Sequence, residues 1–114
     1  GHSGLDETDI QAVVSTLRAH GTVVLLMGVR TLPDTIEQMM SCGVERDMPL
    51  ATIEKGFTDQ ERVIVTTLQQ APQDCQDVKS PAITVIGEGV YYARDDRHQF
   101  ISHVHERLRE QSTS

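Results

Sequence analysis

Apolar residues recur along this chain in two rhythms, and the switches between them mark out its elements. From Leu5 to His20 they fall at Ile10, Val13, Val14 and Leu17, spaced by three and four, so one face of a helix is apolar and the other polar. Asp6, Glu7 and Asp9 lie near its positive amino end, and Gly21 closes it. The helical rhythm then stops. Thr22-Val23-Val24-Leu25-Leu26-Met27 is an uncharged run ending at Gly28, which predicts a strand covered on both faces, the habit of a parallel sheet between helices. A second helix follows, with Pro33 in its first turn, and Thr31 with Asp34 three positions later resembles a capping box. Ile36, Met39 and Met40 give it a buried stripe, and Gly43 suits a left-handed cap.

Leu50 to Ile53, after Pro49, reads as a second strand that feeds the loop Glu54-Lys55-Gly56-Phe57-Thr58-Asp59. Arg62 to Leu68 is rich in β-branched residues and predicts a third strand, antiparallel to the second because the connection is too short for a crossover helix. Gln69 to Val78 is weakly helical. Pro81 to Gly87 repeats the design of an apolar strand running into glycine, with Glu88 to Tyr92 extending or reversing it. His98 to Gln111 closes as a helix with Ile101, Val104 and Leu108 on one side. The elements predict a three-layer α/β/α domain with a mixed, mostly parallel sheet of about four or five strands, residues 1–114 forming one domain.

At 114 residues a single modest core is the limit, since a chain of this size buries roughly two thirds of its unfolded surface. A formal charge of −7 with only ten Lys and Arg gives no basic face for nucleic acid or for an anionic membrane. No apolar run has the length of a membrane span, so the expected setting is the cytoplasm. Cys42 and Cys75 make neither a metal cluster nor a disulfide framework and read as reduced thiols.

In α/β sheets ligands bind beyond the carboxyl ends of the strands, and Gly28, without a Cβ, lets a flat ligand approach the main chain just after Met27. On the residues alone Met27 is more readily core packing, and Gly28 and Gly56 serve tight turns as well as ligands. Arg30 and Lys55 read first as solvated charges. Glu54 fits a loop carboxylate better than a general base. His98, His103 and His105 lack the i, i+4 spacing of helical metal sites, so no metal is expected.

Three blocks, in order, carry a resemblance: Gly21-Thr22-Val23-Val24-Leu25-Leu26-Met27-Gly28-Val29-Arg30-Thr31-Leu32-Pro33, then Met48-Pro49-Leu50-Ala51-Thr52-Ile53-Glu54-Lys55-Gly56, then Ser80-Pro81-Ala82-Ile83-Thr84-Val85-Ile86-Gly87-Glu88. Together, over roughly Gly21 to Tyr92, they resemble the carboxyl-terminal half of the tetrapyrrole methylases, and within these the uroporphyrinogen-III C-methyltransferases of sirohaem and cobalamin synthesis. The resemblance implies a two-domain enzyme, usually a homodimer, that holds S-adenosylmethionine between its domains. This chain then supplies one half of that cleft and, without the amino-terminal domain, no catalysis. Met27 is implied to contact the nucleoside, Gly56 to do so through its backbone, and Pro81 and Ala82 to pack near the adenine. Arg30 is implied to reach a carboxylate of the acidic tetrapyrrole substrate. Phe57, where relatives often carry Thr, and Glu61, where they often carry Gln, depart from the pattern. Those departures leave a second reading, a free-standing binding or dimerisation module that keeps the fold without the chemistry.

Overall fold

The first described helix begins at an acidic cap. The Asp6 side chain accepts the amide of Asp9 at 2.9 Å and so starts α1 (Glu7–Arg18), whose Ile10, Val13, Val14 and Leu17 are all buried. The structure is a computed structural model that describes residues 5–27, 29–55, 58–79 and 82–91, together with Gln99, Val104 and Glu106. α2 (Leu32–Ser41) buries Leu32, Thr35, Ile36 and Met39 on the same side as α1. The expected capping box is not formed. Thr31 ends a 3₁₀ turn, Val29–Thr31, with helical backbone angles that take its side chain out of the capping position, and the Thr35 hydroxyl instead donates to the Thr31 carbonyl at 3.0 Å. Gly43 does close α2, at φ +96°, with its amide and that of Val44 returning to the carbonyls of Met40 and Met39.

Four strands form one sheet: β1 (Thr22–Met27), β2 (Pro49–Glu54), β3 (Arg62–Thr67) and β4 (Ala82–Gly87). Their order is β1-β4-β2-β3 and every neighbouring pair is antiparallel, so the expected mostly parallel sheet is corrected. The reason is visible in the topology. β1 and β2, linked by α2, do run the same way, as a crossover unit should, but β4 is inserted between them and runs against both. The expected cover on both faces of β1 is corrected too: among the described residues β1 is an edge strand whose Val24 is buried but whose Leu26 is 68% exposed, because neither a strand's place in the sheet nor its neighbour's direction is written in its own apolar run.

The inner strands β2 and β4 are covered on both faces by two apolar layers. On one face Leu50, Ala82 and Ile86 meet α1, α2, Ala71 of α3 (Ala71–Asp74), Cys75 and Val78. On the other, Val24, Ala51, Ile53, Ile83 and Val85 meet Val90 of the 3₁₀ turn Glu88–Tyr91 and Val104. Glu88–Tyr91 therefore folds over the sheet rather than prolonging β4 as a strand. Gln99, Val104 and Glu106 are helical, while the rest of the predicted His98–Gln111 helix, with its three histidines, lies outside the described residues.

Gly87 illustrates why a strand can end at glycine without a ligand. Its φ is +116°, and a Cβ there would collide with the Gly21 carbonyl oxygen at the turn between α1 and β1. The second strand-to-glycine junction is thus a packing contact, at the end of the sheet away from Met27.

Candidate functional site

The antiparallel registers line up Met27, Ala82, Glu54 and Arg62 across all four strands. β1 and β2 finish at this end of the sheet, and β3 and β4 begin there. The topology therefore brings the main chain of Met27 beside Ala82, and Ala82 beside the residue that precedes Lys55. Gly28, Gly56 and Pro81 lie outside the described residues. Arg30 is exposed in the 3₁₀ turn just past β1. Leu26 leaves an apolar side chain 68% exposed at the same end.

Beneath this end lies a charged junction that sequence reasoning did not find. Glu54, only 9% exposed, closes β2 with one carboxylate oxygen accepting the Lys79 amide at 2.6 Å and the other 3.2 Å from Arg62 Nε. Arg62 Nη1 also donates to Asp77 Oδ2 at 3.2 Å. The Lys79 amide, followed by the Arg62 charge, holds the Glu54 carboxyl below its usual range against the opposing effect of burial. Arg62 likewise lowers Asp77, and Asp77 first, then Glu54, raises Arg62. One signal was present in the sequence. Glu54 and Arg62 flank a single loop, which in a hairpin makes them cross-strand partners of opposite charge.

The loop leaves β2 in a constrained way. Lys55 has φ +53°, a left-handed conformation uncommon outside glycine, and its carbonyl accepts the Thr58 hydroxyl at 2.7 Å. Lys55 Nζ donates to Gln60 at 3.0 Å. Cys75, by contrast, is 1% exposed, 3.4 Å from the Thr52 hydroxyl, and burial pushes its thiol pKa up; it belongs to the core.

Three clefts of about 370, 660 and 420 Å³ open on the described surface, and Met27, Arg30 and Ala82 line none of them. The largest of these lies by α2 and α3, and the cleft of about 370 Å³ lies at the opposite end, between His20, Glu45, Asp47 and Glu88. Among the described residues the Met27 end presents an exposed surface outside these three clefts. Such a surface is what one wall of a two-walled cleft offers. It joins an exposed apolar side chain, Leu26, to main-chain groups of a strand bordered on only one side by another strand among the described residues. Apolar surface with a few main-chain donors and acceptors suits a nucleoside better than a metal ion or a polyphosphate. Among the described residues no group of three or more His, Cys, Asp and Glu is placed to hold a metal.

No family model matches the chain. Curated relatives do. The chain is 39% identical over 95 residues to an S-adenosyl-L-methionine-dependent uroporphyrinogen III methyltransferase of Methanosarcina barkeri, a match covering 82% of this chain and 32% of that protein. It is 42% identical over 71 residues to a siroheme synthase of Thioalkalivibrio sulfidiphilus, covering 60% of this chain and 14% of the relative. Among solved structures, a uroporphyrin-III C-methyltransferase of Thermus thermophilus complexed with S-adenosylhomocysteine superposes with a TM-score of 0.55 at 26% identity, over 63% of this chain and 32% of that one. The chain belongs to the tetrapyrrole methylase family. A cobalt precorrin-4 methyltransferase shares the methylase fold at a TM-score of 0.62 and 13% identity, over 77% of this chain. The chain spans a third or less of the length of these two curated methylase-family relatives.

Proposed function

We propose that this chain is the carboxyl-terminal domain of an S-adenosylmethionine-dependent uroporphyrinogen-III C-methyltransferase, which makes precorrin-2 for sirohaem and cobalamin synthesis, and that it forms one wall of the cofactor cleft. The observation that supports the reading is the shared row of Met27, Ala82 and Glu54, which gathers the ends of β1 and β2 and the start of β4 at one edge of the sheet, in a chain 39% identical over 95 residues to a methyltransferase. The cofactor supplies a methyl group from its sulfonium. The protein's part is to place donor and carbon acceptor in line, because such a transfer is limited by geometry more than by proton movement. In this reading Met27, Gly28 and Gly56 hold the nucleoside, Pro81 and Ala82 pack near its base, and Arg30 faces a substrate carboxylate.

An amino-terminal methylase domain completes the site, and the assembled enzyme is a cytoplasmic homodimer. Among the described residues no helix is long and apolar enough to cross a membrane. The curated relatives are named for methyl transfer, sirohaem synthesis or porphyrin biosynthesis, so a module stripped of chemistry is not favoured. Incubating the full-length protein with S-adenosylmethionine and uroporphyrinogen III tests the activity by mass spectrometry. The expected product carries two added methyl groups; an unmodified substrate would overturn the assignment.

A further inference from the structure

Glu54 belongs to no cofactor contact proposed above, yet it is a nearly buried carboxylate at the very row where that surface is built. Its two oxygens reach different segments. One accepts the Lys79 amide at 2.6 Å, in the stretch that runs into β4 at Ala82. The other faces Arg62 at the start of β3, and Arg62 in turn holds Asp77, two residues before Lys79. The backbone of Glu54 itself leads directly into Lys55, whose left-handed conformation sets the exit of the loop.

We propose that Glu54 is a positioning residue for cofactor binding: its carboxylate ties Lys79, three residues before β4 begins at Ala82, to the end of β2, and so steadies Ala82 beside Met27 in the row that faces the nucleoside. The inference rests on the methyltransferase reading and adds to it a residue that makes none of the cofactor contacts proposed above. A merely stabilising ion pair at the molecular surface would contribute little and could be lost without effect on the site. A buried acceptor for a main-chain amide differs, because removing it leaves the Lys79 N–H unpaired and frees the segment to move. Charge matters less than the acceptor oxygen, so glutamine at this position keeps most of the function.

The test uses the full-length protein that contains this chain, titrated calorimetrically with S-adenosylhomocysteine as wild type, Glu54→Ala and Glu54→Gln, alongside thermal unfolding of each. Losing a charge-assisted hydrogen bond predicts affinity about tenfold weaker in Glu54→Ala, rescued to within about threefold of wild type in Glu54→Gln. The loss should appear in KM for S-adenosylmethionine, with kcat at saturation nearly unchanged. Glu54→Ala that melts earlier but binds as wild type shows a structural role only and overturns the positioning role while leaving the methyltransferase reading intact. Absence of binding by the wild-type protein overturns both.

Discussion

Glu54 and Asp77 give up their protons more readily in the folded chain than ordinary carboxylates do, so both add stability that depends on pH. Because their folded pKa values are depressed, that contribution is complete above the ordinary values of 4.5 and 3.8 and disappears as pH falls through the lower folded values. Urea unfolding of the chain from pH 7 to pH 3 should therefore show a loss of stability confined to the acid side. Glu54→Gln should flatten that slope, and an unchanged slope would contradict the assignment. The two thiols differ in exposure. Cys42 is partly exposed whereas Cys75 is buried, so a thiol reagent should modify Cys42 in the native chain and Cys75 only as the chain unfolds. Residue identity disclosed the reduced cysteines but not the role of Glu54, because the partner amide of Lys79 lies 25 positions away and no local pattern announces it.

Elements were legible to the extent that their determinants are local. The three-and-four spacing of Ile10, Val13, Val14 and Leu17 located α1, and Gly43 located the end of α2, since helix burial and capping are decided within a few residues. Strand direction is decided by partners, and β4, the last strand in the sequence, lies between β1 and β2 in the sheet. Two glycines separate local strain from tertiary contact. Gly43→Ala meets only the tip of Arg18, 3.8 Å away, and should cost about 1 to 2 kcal/mol for its left-handed backbone alone. Gly87→Ala adds a collision with the Gly21 carbonyl and should lower the urea midpoint further; equal costs would refute the packing role of Gly87. Met39, the fully buried methionine of α2, sets a scale for the core. Met39→Ala should cost about 2 to 5 kcal/mol by chemical denaturation.

For the molecule as a whole, the central claim is that one end of an antiparallel sheet forms half of a cofactor site. The registers set Met27, Ala82 and Glu54 in one row at that end, and Leu26 stands exposed beside it. The sequence blocks suggested this end of the sheet through family resemblance; that Met27, Ala82 and Glu54 share one row could not be read from them, because register depends on how distant strands pair. A site divided between two domains loses most of its contacts when one is absent, and each missing hydrogen bond weakens binding by on the order of 1 kcal/mol. Calorimetric titration of S-adenosylhomocysteine into the 114-residue chain and into the full-length protein is the most direct measurement. The account predicts micromolar binding by the full-length protein and no detectable heat from the chain alone, whereas micromolar binding by the isolated chain would contradict it.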